Sequence, residues 1–459
     1  MSSLNGALSI ASGALSASQT ELTVASNNIA NVSTAGYARE TATLKESTPV
    51  LYNNISMPTG VTVTGITSLR DTVLEMRLNQ ETQQSSKDST LSTNLSTVES
   101  MFTETSGSIG TEVDSYFTAL SSLAVTPTDS TLRQNVLTAA QNVASAVNTA
   151  YTNLSNEQST LNANVSTSVS KINDLTSQIA AINVQVSDAE KTGNENSTLS
   201  AQRSSLISQL SNYIDVSEVQ SDDGLTLTTS SGAPLVVGST SYALTTASNS
   251  SGGTDVYSQG TDITSKITGG SLGGTIETRD TAVQGLMNDL NTFAYSFTNA
   301  VNTAQSAGYE SDGTAGSSNT IFTALSSTAG AASAMSVSMT DGSKLAASST
   351  TDGTDGGNLD TMAAVKSQAF TVDSTSMTYG NFYSNFSEKV GELSSSASSD
   401  ATASAAIVTE LTDQVGSVEG VSLDDEATSL IRYQQSYEAA ARVINIIAEM
   451  GNTLMQMGT

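Results

Sequence analysis

The side chains that most often carry enzyme chemistry are missing from this chain. Its 459 residues include no His, no Cys and no Trp. That removes every dyad or triad that needs imidazole or thiolate, and the zinc, haem and iron–sulfur sites that depend on those ligands. What remains is a stock of 44 Asp and Glu against 16 Lys and Arg. A Ser-Lys nucleophile, a carboxylate pair or oxygen ligation of a hard cation stays open to such a set. For ligation, "SDDG" at 221–224, "ESDGTAG" at 310–316 and "TDGTDGG" at 351–357 place Asp beside Gly, supplying oxygen ligands and a sharp bend. None has the EF-hand register with its terminal bidentate Glu, and none belongs to a repeated nonapeptide. They read as Asp-Gly turns, so no metal and no other cofactor is expected. A wall hydrolase with paired carboxylates would need aromatic subsites beside the acids. Here the acids lie mostly in turns and helix caps with little aromatic company, and an enzyme is not expected.

The stronger patterns are those of helices that must find partners. Leu8, Leu15, Leu22 and Ile29 recur every seven residues, with Leu4, Ala11, Ser18 and Ala25 in the intervening seam positions. Small residues allow close approach but bury little area, so at about 25 cal/mol per Å2 this helix cannot offset its own ordering entropy. Its other face carries Ser, Thr, Asn and Gln instead of Lys and Glu, which suggests that it too meets protein. Asn31 and Gly36 end the helix, since both tolerate a left-handed backbone. At the other terminus Ser422 can cap a helix whose first turn holds Asp424, Asp425 and Glu426. Its stripe runs Leu430, Tyr433, Tyr437, Ala440, Ile444, Ile447, Gly451 and Leu454. Two weak heptad helices at the two ends predict a pair, completed by copies from neighbouring subunits.

Between them a third seam runs from Ala144 through Val147, Tyr151, Leu154, Gln158, Leu161, Val165, Ser168, Ile172, Leu175, Ile179 and Ile182 to Val186 without a change of phase. Further helices are expected from Ser197 to about Asn212, after a "KTGNENS" turn, from Asp280 to Gln305, and from near Asn381 to Gly420. "GVTVTGITS" at 60–68 alternates like a strand, and "GLTLTTSSGAPLVVGS" at 224–239 reads as a hairpin about a Ser-Gly turn. The expected fold is an α+β multidomain chain on an elongated, hairpin-like path: terminal coiled-coil helices, a long helical-bundle core and a small, mostly β insert. Residues 1–40 and 420–459 form the terminal domain. Residues 41–215, 269–306 and 366–419 form the rod core, and 216–268 with 307–365 the outer β-rich insert.

A formal net charge of −28 argues against nucleic acid as a partner. No run of about 20 apolar residues would insert in a membrane. The first residues lack the basic and apolar regions of a cleaved signal peptide.

"SNNIANVSTAGYARE" at 26–40 resembles the N-terminal signature of the axial proteins of the bacterial flagellum, and its Tyr-x-Arg ending resembles the hook-associated protein 1 family. Rod and hook proteins share the Asn-rich core but more often continue with Gly-Phe-Lys. "GGSLGGTIETRD" at 269–280, "NTAQSAGYESDGTAG" at 302–316 and "GVSLDDEATSLIRYQQSYEAAARVI" at 420–444 are similar to the same family, in the same order. The resemblance implies a static ring of subunits joining hook to filament, outside the cell. It also implies export through the flagellar type III apparatus, guided by an uncleaved N-terminal region, and a chaperone held at the C-terminal helix. Its neighbours would be the hook protein and the second junction protein. On this reading Leu8, Leu15, Leu22, Ile29, Tyr437, Ile444, Ile447 and Leu454 pack between subunits, and Asn27, Asn28, Asn31, Gly36, Tyr37 and Arg39 shape the turn into the next domain. Larger relatives carry an additional outer domain before the last core helix. Here only the Ser-, Thr- and Gly-rich stretch is available for it, which implies that this domain is absent or greatly reduced. A secreted coiled-coil surface protein or adhesin is the alternative that the Ser and Thr richness and the acidity would also suit.

Overall fold

A seam that keeps its phase over many turns demands one unbroken helix. The computed structural model contains it, and describes residues 2–457 apart from 35, 53–54, 104–106, 192–196, 222–223 and 251. The chain opens with helix α1 (Ser2–Asn31). Strand β1 (Glu40–Glu46), the hairpin β2 (Val50–Tyr52) and β3 (Ile55–Met57), and strand β4 (Val61–Ser68) follow. β1 and β4 pair antiparallel from Glu40 opposite Ser68 to Glu46 opposite Val61, with a register irregularity between Thr43 and Leu44.

Three helices come next: α2 (Thr72–Met101), α3 (Ile109–Val125) and α4 (Ser130–Lys191). α4 has 62 residues and, at 1.5 Å per residue, spans about 93 Å. It begins earlier than the seam from Ala144 suggested. Asp129 accepts the backbone N–H of Thr131 and Leu132 at 2.8 and 3.0 Å, and Val136, Leu137, Ala140 and Val143 are buried ahead of Ala144. Val147, Leu154, Leu161, Val165, Ile172, Leu175, Ile179 and Val186 are buried as that seam requires.

α5 (Ser197–Ser211) returns alongside α4; most of the "KTGNENS" turn before it lies outside the described residues. A four-stranded antiparallel sheet follows in sequential order, made of β5 (Ser217–Ser221), β6 (Gly224–Thr228), β7 (Pro234–Val237) and β8 (Thr240–Ser241). A three-stranded sheet of β9 (Leu244–Ser248), β10 (Thr254–Ser258) and β11 (Thr261–Asp262) completes the insert. Both pack on the distal half of α4, around a buried cluster that includes Ile172, Ile179, Leu227, Val236 and Val256.

Where one helix from Asp280 was expected, α6 (Gly270–Glu277) leads through a π-helical turn at 278–283 into α7 (Gln284–Ser306). The glycines ahead of Asp280 serve close packing. Gly270 has φ of +68°, and a Cβ on Gly274 would lie 2.5 Å from the carbonyl oxygen of Lys87 in α2.

Residues 307–365 depart from the expected β-rich insert. Their helices are the short α8 (Ala331–Ala334) and α9 (Gly357–Ala364), joined by turns and isolated bridges. Ile321, Phe322, Met335, Met339 and Leu345 in this segment are buried in the same core as α3, the proximal half of α4 and α7. The Asp-Gly motifs work as turns: Asp312 accepts the N–H of Thr314 at 3.0 Å, and Asp355 accepts those of Ser349 and Gly357 at 2.8 and 2.7 Å. Asp222 and Asp223 of the remaining motif lie outside the described residues. The hairpin β12 (Ala369–Val372) and β13 (Thr375–Thr378) precedes α10 (Phe382–Glu419), which lies along α2, and α11 (Leu423–Met457). Among the described residues, no helix is long and apolar enough to cross a membrane.

Phe293 anchors the proximal core. Its ring stacks on Phe382 at 4.3 Å and Phe297 at 5.3 Å between centroids, and no part of it is exposed. Phe293→Ala is expected to lower the unfolding free energy by about 3–5 kcal/mol, measured by chemical denaturation; a loss below about 1 kcal/mol would show that this stack is not the rod's packing centre.

Candidate functional site

α1 and α11 lie side by side although they come from opposite ends of the chain. The pairing is antiparallel: Leu4 meets Gly451, where an added Cβ would be 3.6 Å from its Cδ2, and Arg432 lies near Glu21. Burial pushes the Glu21 carboxyl up, and Arg432 partly offsets this. On α1, Ala11, Ser18 and Ala25 are buried, as are Ala17 and Val24. The helix also rests on β1 and β4. Gly13 permits that approach, since a Cβ there would stand 2.8 Å from the carbonyl oxygen of Val61. The large rail is less covered: Leu15, Leu22 and Ile29 are half-buried and Leu8 is exposed.

On α11, Ala440 and Ile447 are buried and Ile444 half-buried, whereas Tyr437 and Leu454 are exposed. A second apolar rail on the same helix, Val443, Ile446 and Met450, is 45%, 55% and 52% exposed. Each of its side chains, already about half covered, would gain roughly 0.7–1.5 kcal/mol on full burial. The helix starts as its cap residues suggest, with Ser422 Oγ accepting the N–H of Asp425 at 3.4 Å.

The turn motif closes the other end of α1. Asn28, only 1% exposed, uses its side-chain amide as a strand neighbour would: Nδ2 donates to the Glu40 carbonyl at 2.9 Å, and Oδ1 accepts the Glu40 N–H at 3.0 Å. The same Oδ1 accepts the Tyr37 hydroxyl at 2.8 Å. Burial, with Glu40 and Glu426 nearby, pushes the Tyr37 phenol up to about 12. Asn31 Nδ2 donates to the backbone and side-chain oxygens of Asn27, both at 3.0 Å, and Gly36 turns the chain with φ of +75°.

Arg39 then links the two ends of the chain. Its Nε donates to Glu426 Oε1 at 2.6 Å, and its backbone N–H to the Glu419 carbonyl at 2.8 Å. The Glu419 side chain in turn accepts the backbone N–H of Asp71 at 2.9 Å, at the start of α2. Burial pushes the Glu419 carboxyl up; the Asp71 N–H and Arg70 pull it back.

The structure thus gathers the six turn residues at one junction and spreads the eight proposed packing residues along the helix pair. Glu40, Asp71, Glu419 and Glu426 also belong to this junction, and none was expected there from pattern. Only Glu426 carried a signal, and its place in the acidic first turn of α11 was already accounted for by the helix dipole.

Three stretches match known families: residues 8–37 the flagella basal body rod protein, 95–322 the helical domain of flagellar hook-associated protein FlgK, and 417–457 the C-terminal part of flagellar basal body rod FlgEFG proteins. Flagellar hook-associated protein 1 of Escherichia coli K12 is 30% identical over 329 residues, which is 69% of this chain and 59% of that protein. The Salmonella typhimurium protein of the same name is 29% identical, over 66% of this chain and 57% of its own length. The chain therefore spans less than two thirds of these two relatives. The Bacillus subtilis protein of that name is 26% identical over 96% of both chains. The solved structure of the flagellar hook junction protein FlgK from Burkholderia pseudomallei superposes with a TM-score of 0.65, at 18% identity, over 75% of this chain and all of that one, a likeness of fold.

Removing Arg39 leaves the Glu426 carboxylate buried and uncompensated. Arg39→Ala is expected to destabilise the terminal pair by about 3 kcal/mol, read as faster amide exchange in the first turns of α11 with α4 unchanged. Equal exchange in both proteins would remove Arg39 from the account.

Proposed function

The chain belongs to the flagellar hook-associated protein 1 family, and on that premise we propose that it is a structural subunit of the junction between hook and filament. Its work is mechanical rather than chemical. Copies joined through the terminal helices form a ring that adapts hook-type packing to filament-type packing, with the hook protein on one side and the second junction protein on the other.

The observation that carries this reading is the state of the terminal pair. α1 lies beside α11 and buries mainly Ala and Ser, and α11 leaves the rail of Val443, Ile446 and Met450 about half exposed to water. A lone globular domain would gain by covering these side chains, and neighbouring copies can do so.

Export fits the same segment. Glu21 is the only charged residue before Arg39, and a nearly uncharged chain with little apolar bulk can stay unfolded until neighbours supply its missing surface. We assign its route to the flagellar type III apparatus, without cleavage of the N-terminus, and its place to the outside of the cell. A chaperone would shield the exposed rail of α11 beforehand.

Leu22→Asp and Ile446→Asp test the reading in a motile strain whose own copy is replaced. Both variants are expected to abolish incorporation and filament attachment, while the purified proteins keep the parent's cooperative melting of the rod. Functional flagella built with Leu22→Asp would show that the α1 seam is not an assembly surface.

A further inference from the structure

One dipeptide in α1 can modify itself. Asn5-Gly6 is the one place in the chain where Asn precedes Gly. Because Gly6 has no side chain, its backbone nitrogen can approach the Asn5 side-chain carbonyl carbon at low steric cost. The nitrogen attacks Cγ, the new C–N bond closes a succinimide ring, and the carboxamide nitrogen leaves as ammonia with the Gly6 proton. Water then opens the ring at either carbonyl, leaving aspartate or isoaspartate. No oxidant or cofactor enters.

Ring closure depends on the backbone. A formed helix commits the Gly6 N–H to the carbonyl four residues back and holds Asn5 at a helical ψ, away from the geometry the ring needs. Reaction therefore requires the first turns of α1 to open, and little opposes it. Asn5 and Gly6 are both exposed, and a Cβ added to Gly6 would meet nothing within 4 Å. Asn5 stands at the edge of an open groove that α1 forms with Thr59 and Val61. Gly6 costs the helix about 1 kcal/mol relative to Ala, and the next large residues, Leu8 and Ile10, are exposed.

Asp-Gly pairs share this chemistry, and the fold restrains them. Asp312, Asp341, Asp352 and Asp355 each precede a glycine. Each side chain accepts the backbone N–H two residues on, at 3.0, 2.9, 3.2 and 2.7 Å, which holds its carboxyl in a turn. Asn5, within α1, sits in no such turn.

We infer that Asn5 is a self-modification site, open to deamidation in the free chain and closed once neighbouring copies complete α1. The inference rests on the reading that α1 is incomplete until copies assemble. The isoaspartyl product is the disruptive one: it routes the main chain through the side-chain carbon and lengthens it by one atom, which the hydrogen-bonded ring of a helix cannot absorb. Either product adds a negative charge where Glu21 is the only charged residue before Arg39. Leu4, one residue away, meets Gly451, and α11 carries Glu449 and no Lys or Arg between 443 and 457. A chain left unassembled therefore ages into one whose α1 no longer fits α11.

The test holds purified full-length monomer at neutral pH, native and in urea, and follows residue 5 by mass spectrometry, with electron-transfer fragmentation separating isoaspartate from aspartate. The native rate at Asn5 is expected to lie within several-fold of the rate in urea and far above that at Asn148 and Asn173 in α4. Gly6→Ala should slow Asn5 in both solvents. In isolated flagella stored alongside, Asn5 should react several-fold more slowly than in the free chain. A native rate far below the urea rate would overturn the proposal. Hydrogen exchange on the same sample then separates the causes: protected α1 amides would sink the incomplete-helix reading as well, and fast ones the proposal alone. Equal rates in flagella and free chain would overturn the protection. Flagella lacking this chain would overturn the junction reading and the protected state together, leaving the free-chain result intact.

Discussion

The sparse apolar burial of the paired helices α1 and α11, in which α1 covers mainly small residues such as Ala11, Ala17, Ser18 and Ala25, is the constraint on which the rest depends. A buried alanine contributes about a third to a half of what a buried leucine does, so thirty residues of helix held this way gain little beyond their ordering entropy. Three consequences follow in the same molecule. The large residues of the pair stay half-covered, a second apolar rail on α11 faces water, and the ends must be held to the rod by something other than a shared core. Each is awkward for an isolated protein and useful for a subunit.

The junction shows how polar groups take over where apolar area is scarce. Asn28 imitates a strand edge, Arg39 ties residues almost four hundred apart in sequence, and Glu419 caps the start of α2 with a side chain from the end of α10. Such directional bonds add less net stability than a packed core, but they specify one geometry. They place the weak helix pair at a defined position on a rod whose own core, built around Phe293 and the α4 seam, is dense. A rigid rod and a sparsely packed end are complementary parts of the adaptor proposed above.

How much of this could be read from the amino acids depended on whether one face differed from the others. α4 was legible because large apolar residues fill a single seam. α2 was not: its buried residues include Gln83 and Asp88 beside Leu95 and Val98, so no apolar stripe marks it. The segment 307–365 misled because turn residues dominate its composition, while Ile321, Phe322 and Met335, scattered among them, enter the main core without regular structure. At the junction, motif likeness picked out Asn28, Tyr37 and Arg39, but their partners Glu40 and Glu426 are ordinary acids in sequence. Only the three-dimensional path of the chain brings Arg39 to Glu426.

The central claim is that the terminal helices are incomplete until neighbours cover them, and hydrogen exchange on the monomer tests it most directly. With sedimentation confirming a monomer, amides of α1 and α11 should exchange far faster than those of α4 between Ala144 and Val186. Protection at both ends equal to that of α4 would mean that the pair completes its own core, and would contradict the account.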